Sequence, residues 1–194
     1  MWPWGHLAVA YLSYVGWTTR RSDRRQTPSG VLAVAFGSQF PDLIDKPLAW
    51  SLALLPSGRS LGHSLLTAAV VIAIVYWLGR RVDLADAPIA FAIGYLTHVL
   101  VDLHPETIWG LVRGDASQLV WASYLLWPAL PAPPYQNDSS FLVHILALRP
   151  DPYVVVQFAL FGVAVAVWIA SGTPGAGAVR RRVRRRLVGE SSEH

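Results

Sequence analysis

Residues 90–103 read AFAIGYLTHVLVDL, an apolar run in which His98 and Asp102 are the ionisable side chains. Residues four positions apart lie on one face of an α-helix, so the run predicts an apolar helix with an imidazole and a carboxylate on the same side. Ionisable groups are costly in such a segment and tend to be paired, metal-bound or functional. We therefore expect this helix to carry part of a functional site.

The composition of the whole chain is typical of a membrane protein. Of its 194 residues, 53% are hydrophobic and 14% are charged, and the mean hydropathy is +0.38. Soluble domains usually contain about 25% charged residues. The chain has no cysteine, which excludes disulfides, thiolate metal sites and a cysteine nucleophile. It has no HExxH motif and no glycine-rich phosphate loop, so a zincin or a P-loop NTPase has no support.

The apolar segments predict an all-α fold, a polytopic membrane helix bundle with about four to six apolar helices. A membrane-spanning helix needs about 20 largely apolar residues, with a range of about 17–25. Residues 60–79 and 153–170 reach this length, and residues 87–103 reach it if His98 and Asp102 face the bundle interior. The sequence leaves open whether three shorter segments cross fully: 2–17, 28–40 and 116–130.

Two parts of the chain differ in composition. Residues 1–171 are expected to form the helical bundle with the metal site. Residues 172–194 predict a Gly/Pro linker and a basic cytoplasmic tail that contains RRRVRRR. Such a tail could bind nucleic acid. Because the arginine clusters of this chain follow apolar segments, a membrane anchor is favoured and nucleic acid is not expected as a partner.

The arginine clusters orient the chain across the membrane. They occur at residues 20–25, 80–81 and 180–186, and positive clusters usually lie on the cytoplasmic side. With these residues inside, the helix directions bring the candidate ligands to the outer ends of the helices. We expect a protein of the inner membrane, with its site at the outer face and its C-terminal tail in the cytoplasm.

Histidine and carboxylate side chains without cysteine predict a site for a divalent metal such as zinc, manganese or iron. We expect one or two ions, zinc first, and the candidate ligands are His6, Asp42, Asp45, His63, His98 and Asp102. Asp42 or Asp45 could ligate, bridge two metals or act as a general base. Arg59 is the candidate for binding a phosphate or carboxylate of a substrate. The expected catalytic residues are therefore Asp42, Asp45 and Arg59.

These residues also have ordinary structural interpretations. Asp102 could cap a helix or pair with Arg59 or Arg113, and Asp42 and Asp45 could be loop acids that pair with Lys46. A histidine in an apolar helix is often a hydrogen-bonded packing residue. The residues whose role as ligand or packing residue the sequence leaves open are His6, His104, Glu106 and His144.

Four segments carry a family resemblance: His6 near the start, FPDLID at 40–45, GRSLGHSLL at 58–66 and GYLTHVLVDL at 94–103. Together they resemble the YdjM-like family of membrane-bound metal-dependent hydrolases, over roughly residues 4–104. The PDxxD and HxxxD motifs are the most specific parts. The same order of histidine and aspartate is distantly similar to zinc-dependent phospholipase C.

This resemblance implies that metal is bound by His6, Asp42 or Asp45, His63, His98 and Asp102. The chain lacks the second HxxxE-type motif of a trinuclear zinc site, so one or two ions are expected. The implied function is that of a membrane-bound metal-dependent hydrolase acting on an ester or phosphoester of a membrane-proximal substrate, with membrane lipids as partners. The alternative is a non-enzymatic membrane protein, either a metal-binding scaffold or a transporter.

Overall fold

The computed structural model describes residues 1–21, 25–84, 86–135, 141–146 and 148–177, and all regular structure within these ranges is helical. The helices are, in chain order, α1 (Pro3–Thr19), α2 (Pro28–Gly37), α3 (Phe40–Lys46), α4 (Leu65–Arg81), α5 (Ala87–Val101), α6 (Pro105–Val112), α7 (Leu119–Ala122), α8 (Phe141–Leu146) and α9 (Pro152–Ala170). A π-helical turn, Pro47–Ser51, follows α3, and short 3-10 turns flank α7. The expected all-α fold class is confirmed.

Prolines and capping side chains set where these helices begin. Proline fits the first turn of a helix, because the amide hydrogen that it lacks would have no helical partner there. A proline occupies the first turn of α1, α2, α3, α5, α6 and α9. Thr27, Ser64 and Asp151 cap α2, α4 and α9, since each side chain accepts a hydrogen bond from a backbone amide of the first turn.

Helix α5 is central and contacts α1, α2 and α4. It approaches α2 closely at Gly94 and Gly37. A Cβ atom at Gly94 would overlap the carbonyl oxygen of Val34, and one at Gly37 would overlap that of Phe91. Glycine at both positions therefore permits contact between the two backbones. This crossing brings the end of α2 against His98.

Several helices are shorter than the membrane spans expected from the sequence. Within the described residues, α9 has 19 residues and is long and apolar enough to cross a membrane. α5 and α6 would form a second crossing if this pair, bent by 73°, is one broken span. α1 and α4 have 17 residues each, and α2 has 10. The expectation of four to six membrane helices is therefore not supported.

Local interruptions explain the shorter helices. The segment 28–40 is divided, because α2 ends at Gly37 and α3 begins at Phe40. Residues 60–64 belong to a loop, so the helix expected from residue 60 begins at Leu65. The segment 116–130 forms one turn of α-helix between two 3-10 turns before Pro128, where proline cannot continue a helix.

The bundle has a buried interior and a strongly apolar exterior. Ala8, Tyr14, Val34 and Ala90 belong to a buried cluster that joins α1, α2 and α5. Many large apolar side chains of α4 and α9 are exposed, including Val70, Ile74, Trp77, Val156 and Ile169. Contiguous apolar surface of this kind is expected where helices contact lipid. The predicted basic tail lies almost entirely outside the described residues, which end at 177.

Candidate metal centre

The structure brings five of the six sequence-predicted ligands together at one end of the bundle. They form two overlapping groups, Asp42 with His63 and His98, and His6 with His98 and Asp102. Within each group the potential ligand atoms all lie within 4.8 Å of one another. Each of the five residues is at most 6% exposed. The cluster is therefore a dry, compact set of imidazoles and carboxylates.

The spacing in the first group matches one face of a metal coordination sphere. Nε2 of His63 and Nε2 of His98 are 3.1 Å apart. Oδ1 of Asp42 lies 3.6 Å from the His63 nitrogen and 3.7 Å from the His98 nitrogen. In a tetrahedron with bonds of about 2.0–2.1 Å, neighbouring ligand atoms are about 3.3 Å apart. The three atoms thus have nearly the separations that a zinc ion requires.

The outer partners of the two histidines fix their tautomers. Nδ1 of His98 lies 2.5 Å from the carbonyl oxygen of Ser38, and Nδ1 of His63 lies 2.8 Å from Oδ2 of Asp45. A carbonyl oxygen can only accept a hydrogen bond, and so can an ionised carboxylate, so both Nδ1 atoms must donate. In the neutral rings the Nε2 lone pairs then face each other inside the cluster. Two lone pairs at this distance repel unless a metal ion or a proton lies between them.

Asp42 supplies the negative charge of this group. Its Oδ1 is buried and has no hydrogen-bond partner among the described residues. Its Oδ2 accepts a hydrogen bond of 2.6 Å from Nζ of Lys46. Burial raises the pKa of Asp42, but the nearby His98 and Lys46 more than offset this and hold the pKa well below its usual range. A buried, ionised carboxylate oxygen without a donor fits a metal ligand.

Asp45, the sixth predicted ligand, lies behind His63 and outside both groups. Besides the His63 ring, its carboxylate accepts hydrogen bonds from the backbone amides of Ser60 (2.8 Å) and Gly62 (2.7 Å). A Cβ atom at Gly62 would come within 2.8 Å of the Pro41 carbonyl oxygen, so glycine allows the loop to lie against α3. Asp45 therefore holds both the histidine ring and the loop that carries it.

The environment of His63 favours its charged form. Burial lowers the pKa of His63, but hydrogen bonds to Asp102 and Asp45 and the charge of Asp42 raise it above the ordinary histidine value. Three carboxylates near one imidazole attract a positive charge, which a metal ion or a proton can supply.

Asp102 already neutralises two cations. Its Oδ2 accepts a 2.6 Å hydrogen bond from Nε of Arg59, and its Oδ1 lies 2.6 Å from the amino group of Met1. The carboxylate also lies 3.4 Å from Nε2 of His63 and 3.1 Å from Nε2 of His6. Burial lowers the pKa of Arg59, and the charge of Asp102 more than reverses this, so Arg59 stays protonated. Asp102 thus links the cluster to the cationic side chain beside it.

His6 packs on the cluster from α1. Its ring stacks on that of His98 with 3.7 Å between centroids and 14° between planes. Within the described residues, neither ring nitrogen of His6 makes a hydrogen bond of good geometry. The stack on His98 makes His6 a neighbour of the first group, and its Nε2 lies close to Asp102.

A cavity of about 520 Å³ opens beside Asp102 and Arg59. The Arg59 guanidinium lies 4.6 Å from the centre of the Tyr135 ring. The other aromatic residues that line the cavity are Trp2, Trp121 and Tyr153. His104 and Glu106 also line it, and both side chains are more than half exposed. These two residues lie outside both metal-binding groups.

Two residues beside the candidate ligands have roles that the sequence did not predict. Ser38 contributes a backbone carbonyl, which no side-chain pattern reveals. Lys46 could pair with either Asp42 or Asp45 by sequence, and the structure pairs it with Asp42. The i,i+4 spacing of Asp42 and Lys46 on α3 is the signal that favours this pair. The side chain of His144, whose role the sequence leaves open, lies outside the described part of the chain.

Comparison with known proteins places the chain in a family. A family model described as YdjM inner membrane protein matches residues 1–178, well beyond the motifs near residues 4–104. No curated protein and no solved structure gives a match, so the distant similarity to phospholipase C has no support from them. From the match over most of its length, the chain belongs to the YdjM family of inner membrane proteins.

Proposed function

We propose that this protein is a membrane-bound, metal-dependent hydrolase with one divalent ion, zinc first, bound by Asp42, His63 and His98. The observation that supports this most directly is the pair of inward-facing Nε2 atoms, 3.1 Å apart, beside the partnerless Oδ1 of Asp42. Each of these ligands has its own outer partner, in order Lys46, Asp45 and the Ser38 carbonyl. Such outer partners orient metal ligands and strengthen binding.

One ion fits this set better than two. The single inward nitrogen of His98 is common to both groups, so it can bind one ion only. Both oxygens of Asp102 already pair with cations, whereas Oδ1 of Asp42 does not. The ion therefore belongs to the Asp42 group, and Asp102 and His6 stand beside it.

Three protein ligands with an open fourth position are typical of catalytic zinc sites, while structural sites are closed by four. A divalent ion in this place supplies Lewis acidity, which activates water at neutral pH and polarises an ester or phosphoryl oxygen. The residues of the chain keep the site dry, orient the ligands and hold Asp102 against Arg59.

Arg59 and the adjoining cavity indicate the kind of substrate. The Arg59 side chain is partly exposed, at 29%, and lines the cavity next to Asp102. A planar guanidinium binds carboxylate or phosphate through paired hydrogen bonds. Aromatic walls on the same cavity suit the partly apolar groups found near a membrane surface. An ester or phosphoester of a membrane-proximal substrate satisfies both features.

We place this site at the outer face of the inner membrane, because the arginines at the other end of α1 and at the end of α4 favour the cytoplasmic side. The chain has no native cysteine, so single-cysteine labelling is clean. A cysteine at Gln118, which lines the cavity, should react with an impermeant reagent from the outside. Labelling at this position only from the cytoplasmic side would reverse the orientation.

Metal content and turnover test the proposal together. The detergent-purified full chain should contain about one equivalent of zinc and should hydrolyse a member of a panel of carboxylic ester, phosphodiester and phospholipid substrates. His98→Ala should lose both metal and activity, whereas His104→Ala, which changes an exposed histidine, should retain the metal. Metal retained in His98→Ala would remove the ligand assignment. Metal without turnover of any ester would support a metal-binding scaffold or transporter instead.

A further inference from the structure

A second cavity lies beside α1 and α9, near the end of α1 opposite the metal centre. It has a volume of about 700 Å³ and is lined from α1 by Val9, Leu12, Gly16 and Trp17, with Leu160 of α9 opposite. Arg20 and Arg21 close one end of it. We call it the α1–α9 groove. From His6 to Arg20 the axis of α1 rises about 21 Å, so the groove is separate from the metal centre.

The groove has the length of one membrane leaflet. Val9 and Arg20 are separated by a helical rise of about 16 Å. Half of a typical hydrocarbon core of about 30 Å is about 15 Å. If the arginines lie at the headgroup level, the apolar part of the groove therefore extends to the middle of the membrane. α9, the other wall, is the helix long and apolar enough to cross it.

The two ends of this groove differ in charge. Apart from Ser13, the lining residues before Arg20 are apolar or glycine, and the end of the groove carries two guanidinium groups, with Arg21 lying 5.1 Å from the centre of the Trp17 ring. Among its lining residues, all of them in the described part of the chain, none is acidic. Tryptophan is enriched at membrane interfaces, and basic pockets between membrane helices bind anionic headgroups. This distribution of basic and apolar side chains complements a molecule that has an anionic headgroup and places one long apolar chain in the groove.

Gly16 leaves the groove open at its centre. A Cβ atom built at this position meets no atom within 4 Å, so the space beside it belongs to the groove and not to packed protein. A large side chain at this position would fill the groove without displacing the bundle.

We propose that the α1–α9 groove binds one anionic phospholipid, with its phosphate at Arg20 and Arg21 and an acyl chain along Val9, Leu12 and Leu160. This site is distinct from the proposed hydrolytic centre and does not depend on it. Bound lipid here would hold α1 against α9 and fix the depth of the chain in the membrane.

Native mass spectrometry of the detergent-solubilised full chain tests this proposal, with dioleoylphosphatidylglycerol and dioleoylphosphatidylcholine offered in equal amounts. The wild-type protein should retain one phosphatidylglycerol in preference to phosphatidylcholine. Each arginine near anionic lipid contributes about fivefold in binding, so Arg20→Gln with Arg21→Gln should weaken phosphatidylglycerol retention on the order of 25-fold. Gly16→Phe should displace either lipid, because it fills the groove.

Two matched controls separate this site from general membrane attraction. Arg80 and Arg81 end α4 with the same arrangement, Arg81 lying 4.1 Å from the centre of the Trp77 ring, but they do not line the groove. Replacing both by glutamine should leave lipid retention unchanged. Gly162 of α9 also has open space around it and lies outside the groove, so Gly162→Phe is the control for Gly16→Phe.

The outcomes are decisive in both directions. Equal loss of phosphatidylglycerol in the Arg80 and Arg81 variant would overturn the proposal, because charge alone would then explain retention. Lipid that stays bound to Gly16→Phe would also overturn it. A dimer in the wild-type protein that Gly16→Phe converts to a monomer, with lipid retention unchanged, would show that a second copy of the chain occupies the groove.

Discussion

Oδ2 of Asp45 lies 2.8 Å from Nδ1 of His63, on the side of the ring opposite the nitrogen that faces His98. Both side chains are fully buried. A carboxylate in this position fixes the ring and makes the far nitrogen a better donor to a metal. Asp45 is therefore best understood as the residue that orients a ligand.

Asp45→Asn should weaken metal binding without abolishing it. An outer partner of a metal-bound histidine typically contributes about 10–100-fold in affinity. Asparagine keeps the shape of the side chain but loses the charge that orients His63. Competition with a chromophoric chelator would measure the change. Glu106→Gln, an exposed acid on the cavity rim, is the control and should bind metal as the wild type does. Full loss of metal in Asp45→Asn would instead favour direct ligation.

Lys46→Met should disturb the site through Asp42. Lys46 is the single lysine of the chain, and it holds Oδ2 of Asp42 while Oδ1 faces the histidines. Without the ammonium group, both oxygens become available to the ion, and the coordination number should rise. The absorption spectrum of the cobalt-substituted protein reports this change. Lys46→Arg should preserve the wild-type spectrum, and an unchanged spectrum in Lys46→Met would contradict the assigned role.

Arg59→Ala should separate substrate binding from metal binding. The metal should stay, because its ligands are untouched, while KM for an anionic ester should rise. A hydrogen bond to a charged group contributes about 1.5–3 kcal/mol, which corresponds to about 10–100-fold in binding. Arg113→Ala is the control, since Arg113 lies over Trp109 and does not line the cavity. An unchanged KM would exclude Arg59 as the anion-binding residue.

Metal uptake should weaken on acidification at a higher pH than an ordinary histidine would give. The pKa of His63 in the metal-free protein is raised above its usual value of about 6.5. A raised pKa means that the proton binds more tightly, so it competes with the metal from a higher pH downward. Zinc titrations over a pH series would show this. Asp45→Asn removes one cause of the raised pKa, so its transition should move to lower pH.

Gly94→Ala should destabilise the bundle and the site together. The added methyl group would overlap the carbonyl oxygen of Val34 and approach the backbone nitrogen of Ser38, which forces α2 away from α5. Overpacking of this kind costs about 1–3 kcal/mol. Thermal unfolding in detergent and zinc affinity should both fall. Gly162→Ala, whose added atom meets open space, should change neither quantity. A stable Gly94→Ala protein with wild-type zinc affinity would show that the crossing of α2 and α5 can accommodate an added methyl group.

The sequence predicted the convergence of the site well, for a physical reason. The prediction used the arginine clusters to assign the direction of each helix, and helix directions decide which ends meet, so it expected His6, His63 and His98 at one level. The structure brings these three residues together. The all-α class followed from the apolar segments in the same way. The sequence did not predict the helix lengths, because the end of α2 at Gly37 and the start of α4 at Leu65 depend on packing against other elements.

The sequence could not predict that Asp42 faces the two histidines whereas Asp45 holds the His63 ring and its loop. The two residues are three positions apart on α3, so helical geometry alone gives them nearly the same direction. The difference arises from the loop at residues 60–63, whose backbone amides surround Asp45 and leave Asp42 facing inward. That arrangement depends on Gly62 lying against Pro41, which is a tertiary contact.

The partner that orients His98 is a main-chain carbonyl, and this has a consequence for how the site can be read from genetic variation. Any amino acid at position 38 carries the same carbonyl, so the serine side chain can change while the hydrogen bond survives. The position of this carbonyl depends on Gly37 and Gly94, which have no side chain and are not metal ligands. A change at either glycine would therefore disturb the hydrogen bond to His98, although neither residue carries a polar side chain.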